Sequence, residues 1–311
     1  MSIQPIRLPT ALAALGLSIL WGGNVVAIKL GLEAFPPFWS AFWRFFISVG
    51  AVSLWAYWSG LSLLPQKIEI KPLSILGCLF TVQVALLNLG VNWTSPAYGI
   101  VLLNTNPIFA NILAHFVVPE DRLSTQRVIG LVSAFGGICV VFLGDPTPTL
   151  AEHPITGNFL LLLSSLLLGA RLVYTNRLVQ SIEPVHTVFW QTVFSLPIFL
   201  LCGWLFESPA FNHLPSVKAL LAIFYQGVIV AGFCFVGWTK LLKRHSPGTL
   251  SMFSFASPLF GILFSSLFFG EQIASLLWIG LVGVTLGIFL VTRNSFLLSA
   301  PKKKPVGKVQ Q

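Results

Sequence analysis

Charged side chains are what this sequence has least of: Lys and Arg number 18 and Asp and Glu nine, together 9% of 311 residues, against about 25% in a soluble domain. Water is thereby excluded as the main solvent of the chain. Gly-x-Ser-x-Gly, His-Glu-x-x-His and the Walker glycine loop are absent, and no carboxylate pair lies within an apolar run. The common hydrolase, zinc-protease and ATP-driven chemistries therefore have no support. The four cysteines, Cys78, Cys139, Cys202 and Cys234, stand in separate apolar segments without ligand spacing, so free thiols are expected, with no disulfide and no metal. The five histidines, His115, His153, His186, His213 and His245, fall near different segment ends. No catalytic residue and no cofactor is expected.

Apolar residues, by contrast, make up 55% of the chain, which makes the bilayer its solvent. A spanning helix needs roughly 20 mainly apolar residues. Apolar runs read against Pro, Gly and charge punctuation predict an all-α membrane protein of ten transmembrane helices, near 9–29, 37–57, 72–92, 97–118, 125–144, 155–177, 184–205, 216–239, 247–269 and 274–292. The first run is longer than a signal-peptide core and carries Trp21, Gly22 and Asn24 where a cleavage site would be needed, so it is expected to stay as the first helix. The net charge of +9 reads as a topology signal and as contacts to membrane lipids; no nucleic acid is expected. Arg7, Lys67, Lys71, Arg122, Arg127, Arg177, Lys240, Lys243, Arg244, Arg293 and tail lysines 302, 303, 304 and 308 all fall on one side. Lys29, Lys218 and the acidic loop from Asp145 to Glu152 fall on the other, which predicts both termini to be cytoplasmic.

The two halves resemble each other in register. Ser95-Pro96, Pro107 and Glu120 fall on Ser246-Pro247, Pro258 and Glu271 at a constant offset of 151, and Ile129-Gly130-Leu131-Val132 falls on Ile279-Gly280-Leu281-Val282 one residue earlier. Nearer the start of each half, Pro37, Phe42 and Trp43 fall on Pro184, Phe189 and Trp190 at an offset of 147. This predicts two five-helix units, residues 1–144 and 155–293, followed by a basic cytoplasmic tail, 294–311. An odd number of helices per unit makes the repeats inverted, the symmetry of alternating-access carriers. Gene duplication also builds channels and some membrane enzymes.

These residues resemble the EamA-type branch of the drug/metabolite transporter superfamily over nearly the whole chain. The resemblance rests on Trp21-Gly-Gly-Asn24 with Lys29 and Gly31, on Pro36-Pro37 followed by Trp43-Arg44-Phe45, and on the duplicated Ser-Pro, Pro and Glu with Ile-Gly beyond. It implies ten helices, both termini inside, and transport of amino acids or other small metabolites, commonly as export. The ninth helix reads Ser254-Phe-Ala-Ser-Pro258-Leu-Phe-Gly261, without the Lys-Arg pair of the related sugar-phosphate branch, so phosphorylated substrates are not expected.

Within this frame the candidate solute contacts are the polar groups at membrane depth. Arg44 lies about 10 Å inside the second helix, where an arginine must pair, snorkel or face water. It reads either as attraction for an anionic group on the solute or as a structural arginine holding a neighbour's carbonyls. Arg171 has Asn24 as its repeat counterpart; both are placed at one site, against the alternative that Arg171 snorkels to the inner headgroups. Asn104, Asn111 and His115, spaced 0, 7 and 11 along the fourth helix, would share a face. They would form a polar path opposite Gln83 and Asn88, or else interhelical hydrogen bonds. Trp21, Tyr174, Trp190, Tyr225 and Trp238 are the aromatic candidates, each with lipid-belt or packing roles as the competing reading. Pro107 and Pro258, expected inside the fourth and ninth helices, would be paired hinges or fixed kinks. Glu120 and Glu271 would cap helices or pair with nearby bases.

The expected partner is a small-molecule solute, with proton coupling and exchange both open. The expected state is a monomer or homodimer, and the expected location is multi-pass in the plasma (inner) membrane. A membrane enzyme or lipid-handling protein is the competing reading, and a passive pore or scaffold a third.

Overall fold

The computed structural model describes residues 8–117, 125–144, 148–207, 211, 214–244, 253 and 256–298. Glu120, Arg122, Ser246-Pro247, His213, His245 and the basic tail lie outside them. Twelve α-helices are described: α1 (Leu8–Leu32), α2 (Pro37–Trp58), α3 (Lys67–Trp93), α4 (Pro96–Leu103), α5 (Asn106–Val117), α6 (Thr125–Phe142), α7 (Pro154–Leu178), α8 (Pro184–Phe206), α9 (Val217–Phe224), α10 (Phe235–Arg244), α11 (Ala256–Phe269) and α12 (Ser275–Leu298). A π-helical stretch, Tyr225–Cys234, joins α9 to α10. Four of these helices, α2, α4, α7 and α8, start on a proline, whose fixed φ suits the first turn and whose missing N–H would be unpaired there anyway.

Five helical segments are long and apolar enough to cross a membrane: Leu8–Leu32, Lys67–Trp93, Pro154–Leu178, Pro184–Phe206 and Val217–Lys243. Shorter apolar helices cover Val128–Val141, Ala256–Phe269 and Ser275–Gly287. α2 has the length, 22 residues, but Arg44 and its tryptophans dilute its hydropathy. Large apolar side chains such as Leu54, Leu201, Leu221, Phe224 and Leu267 are exposed around the bundle, as lipid-facing helices require.

The expected fourth helix is interrupted. Asn104, Thr105 and Asn106 each turn their side chains back onto carbonyls of α4: Asn104 Nδ2 to Ile100 O at 2.8 Å, Thr105 Oγ1 to Leu102 O at 2.6 Å and Asn106 Nδ2 to Leu103 O at 3.0 Å. These bonds satisfy the last carbonyls of α4 and end it. The expectation that Pro107 sits inside a continuous helix is thereby corrected: it is the second residue of α5, a first-turn position where proline costs nothing. Pro258 lies in α11, and the residues directly before that helix lie outside the described ones. The interruption also breaks the rotational phase on which the shared face of Asn104, Asn111 and His115 depended; the side chains of Asn111 and His115 lie outside the described ones.

Small residues set the helix contacts. A Cβ on Gly22 of α1 would stand 2.7 Å from Ser257 O, beside Gly261 of α11. α6 and α12 cross most closely: a Cβ on Gly137 would lie 2.6 Å from Val284 N and 2.7 Å from Gly280 O. With no hydrophobic drive between helices in lipid, such close van der Waals approach is what binds them.

Polar contacts between elements gather at two ends. At one, Lys29 Nζ donates to Val91 O, Asn92 O, Thr94 O and Leu150 O at 2.7–3.0 Å. There too, Glu207 accepts from Phe38 N and Trp39 N, and Glu271 accepts from Ala97 N and Ser265 Oγ. Glu207 and Glu271 thus cap the starts of α2 and α4, where N–H groups point at an anion. At the other end, His186 meets Glu69 and Ser62 O, Trp190 Nε1 donates to Leu63 O, and Lys243 pairs with Glu183 at 3.0 Å. Glu207 lies beyond the end of α8, where burial pushes its carboxyl up against the opposing pull of the Phe38 and Trp39 N–H groups.

Candidate functional site

The eighth residue of α2 is Arg44 and the eighth of α8 is Gln191. Both lie in the bundle centre with Arg171 of α7 and Gln226 of the π stretch. All four are buried: Arg44 is 3% exposed and Arg171 7%. Arg44 Nη1 donates to Gln226 Oε1 at 3.3 Å, and Gln226 Nε2 donates onward to Ala27 O of α1 at 2.8 Å. Arg171 Nη1 donates to Gln191 Oε1 at 3.4 Å. Gly227 lets the π stretch approach the backbone of α2, since a Cβ there would stand 2.7 Å from Arg44 O.

Phenylalanines connect the two cations. The Arg44 guanidinium lies 4.3 Å from the Phe45 ring centroid, and that of Arg171 lies 4.9 Å from Phe80 and 5.5 Å from Phe235. Phe45 and Phe80 meet edge-on at 4.8 Å, and Phe235 continues to Trp21 at 5.8 Å, which meets Trp238 at 5.3 Å. Seven elements, α1, α2, α3, α7, α8, the π stretch and α10, thus converge on one cationic and aromatic cluster. Ring faces and neutral amides recover part of the cost of burying a guanidinium.

Neither arginine has a carboxylate within ion-pair distance among the described residues; the described acid–base pairs, His186–Glu69 and Lys243–Glu183, lie at the bundle end. Among the described residues, Arg44 Nε and Arg171 Nε are buried without a hydrogen-bond partner, as are Asn24 Oδ1, Ser40 Oγ and Ser48 Oγ. Ser40, Arg44 and Ser48 follow at four-residue spacing and so share one face of α2. Buried polar groups are nearly always partnered, so this face stands out among the described residues.

Of the residues singled out from sequence, the structure brings Arg44, Arg171, Trp21 and Trp238 together. Asn24 is buried on α1, and Tyr225 pins α1 through its hydroxyl to Leu20 O. Gln83 is elsewhere occupied: it exchanges two hydrogen bonds with Ser164, joining α3 to α7. Tyr174 donates to Pro72 O and Trp190 to Leu63 O, within a separate cluster around Leu73, Leu76, Leu178 and Ile182. Asn104 caps α4, and Asn88 donates to Pro37 O. Missed by sequence reasoning were Gln191, Gln226, Phe45, Phe80 and Phe235. Gln191 had a signal, since it is the offset-147 counterpart of Arg44; Gln226 had another, as the lone amide in a long apolar run.

Because Gln226 serves both Arg44 and Ala27 O, Gln226→Leu is expected to cost about 1.5–3 kcal/mol, the range for losing a hydrogen bond to a charged group. Gln226→Glu should lose less, since its carboxylate pairs with Arg44 while giving up the donation to Ala27 O. Thermal unfolding in detergent reads this; equal losses in both variants would show that the amide contact does not hold the guanidinium.

The EamA-like transporter family matches residues 8–143 and again residues 155–293. The chain is 25% identical over 296 residues to the uncharacterized transporter YoaV of Bacillus subtilis (strain 168), covering 94% of this chain and 98% of that protein. It is 22% identical over 300 residues to the uncharacterized inner membrane transporter YedA of Escherichia coli (strain K12), covering 96% and 94%. A solved crystal structure 19% identical in sequence superposes with a TM-score of 0.68 over 92% of this chain and 99% of its own, a likeness of fold.

Proposed function

The chain belongs to the EamA-like transporter family, and from that premise we propose that this membrane transporter is a gradient-driven carrier of small amphiphilic organic solutes, amino acids among them, working in export. Its ten spans form two inverted five-helix units that rock about the arginine–phenylalanine cluster. It sits in the plasma (inner) membrane with both termini cytoplasmic, the side on which most basic residues fall.

Several observations support this arrangement. Contacts at one bundle end use the residues expected outside, Lys29, Glu207 and Glu271, and those at the other use residues expected inside, Glu69, Glu183, His186 and Lys243. Short interrupted helices, α4 with α5 and the π stretch, border the bundle centre, a feature of carriers that bind at midplane. The observation that carries the function is the pair of buried arginines, with no carboxylate within ion-pair distance among the described residues, at the meeting point of seven elements.

Counterflow in proteoliposomes tests it. Vesicles preloaded with an unlabelled amino acid or metabolite should take up the labelled form with saturable kinetics. Uptake that rises linearly with concentration would point to a pore, and no uptake of any amphiphilic solute by folded, inserted protein would overturn the carrier reading.

A further inference from the structure

We infer that the Arg44–Arg171 cluster is an anion site that selects solutes of net negative charge with a flat apolar body, 2-oxo acids with aromatic side chains being the fitting class, over zwitterionic amino acids. For transport this rests on the carrier reading; for binding it stands alone.

Among the described residues the two buried guanidinium groups have only neutral amides as hydrogen-bond partners. A buried charge lacking an opposite charge is among the costliest arrangements in a protein interior, and a carboxylate beside either guanidinium supplies the missing charge. Each arginine also retains a buried Nε–H without an acceptor among the described residues, so both offer an unused donor. A 2-oxo acid supplies acceptors side by side, its carboxylate and the adjacent carbonyl oxygen. Its aromatic side chain would join Phe45, Phe80, Phe235 and Trp21, the rings that border the two cations, through the tilted and edge-on contacts that rings prefer.

An amino acid with the same side chain places an ammonium where the keto oxygen would be. Among the described residues no carboxylate lies within ion-pair distance of either arginine to receive it. The faces of Phe45, Phe80 and Phe235 already hold the arginines, so cation–π acceptance is taken. Asn24 Oδ1 is a neutral acceptor and can satisfy one of three ammonium protons. A third cation beside two others in a low-dielectric interior is repelled by both.

The test is a matched series with one phenyl side chain: phenylpyruvate, L-phenylalanine and phenethylamine. Purified wild-type protein in detergent is heated with each, and each is offered in counterflow. Phenylpyruvate should raise the unfolding temperature and exchange, phenylalanine should bind at least about tenfold more weakly, and phenethylamine should do neither. Arg171→Gln should erase the preference for phenylpyruvate, and Arg171→Lys, which keeps the charge, should retain it at lower affinity; the wild-type series decides the matter even if the glutamine variant fails to fold. Phenylalanine binding as tightly as phenylpyruvate overturns the inference, and if it also exchanges, the carrier reading survives. Phenylpyruvate binding without exchange upholds the anion site and overturns its role in transport, leaving the carrier reading to the wider solute series. Failure of folded wild type to bind phenylpyruvate overturns the inference outright.

Discussion

Gly137→Val should leave little folded protein. A Cβ at this position meets the backbone of α12 at 2.6 Å from Val284 N and 2.7 Å from Gly280 O, and backbone cannot move aside as a side-chain tip can. α6 and α12 would have to separate, and the reciprocal approaches of Gly280 and Gly283 to Gly137 would open with them. Overpacking a close-fitting contact costs about 1–3 kcal/mol, and the lost packing between helices adds to it, so an unfolding temperature lowered by many degrees is expected. The neighbouring residue supplies the control. Gly136 is exposed, and a Cβ there meets nothing within 4 Å, so Gly136→Val should be neutral or slightly stabilising, because valine is the better helix residue. Equal loss from both substitutions would mean that the glycine contact does not hold the pair.

Lys29→Met should be the most damaging single loss of charge. The ammonium ties the last turn of α1 to three carbonyls at the end of α3 and to Leu150 O beyond α6. It places a positive charge at a helix C-terminus, where the macrodipole favours it. Methionine keeps the length and removes all four contacts. Leaving even two buried carbonyls unsatisfied costs about 2–6 kcal/mol at the usual 1–3 each. Thermal unfolding in detergent should show the loss, and Lys29→Arg should recover part of it. If Met and Arg variants melt with wild type, the carbonyls are being satisfied by water.

Lys29 also shows where sequence reading falls short. As the last residue of the first expected span it read only as a charge on the outer side, because only the fold reveals that α3 ends beside it. The arginines were legible for the opposite reason: a charge deep in an apolar run announces its own cost, wherever its partners lie. Those partners, Gln226 and Gln191, were masked by their neutrality, and Phe45, Phe80 and Phe235 by belonging to a residue type present 27 times. Gln83, Tyr174 and Trp190 looked eligible by depth and polarity, yet each spends its hydrogen bonds on a neighbouring segment: α7, α3 and the connection between α2 and α3. Depth along a helix is written in sequence; direction around a bundle depends on neighbours from the other half of the chain. The interruption at Asn104 was hidden because apolar residues continue across it, while the side chains that end α4 act over only three or four residues.

The pair α2 and α8 carries one more consequence. They run antiparallel, for the start of α2 meets Glu207 beyond α8 and the start of α8 meets Ser62 beyond α2. Tyr57 and Trp58 are exposed at the far end of one, 81% and 75%, and Trp204 and Phe206 at the far end of the other, 72% and 73%. Trp and Tyr rings favour headgroup level, and a helix of 22 residues is about 33 Å long, close to the thickness of a bilayer's hydrocarbon core. The pair therefore offers rings at both of its ends, one set carried by each helix. Arg44 and Gln191, each the eighth residue of its helix, stand between these two aromatic ends.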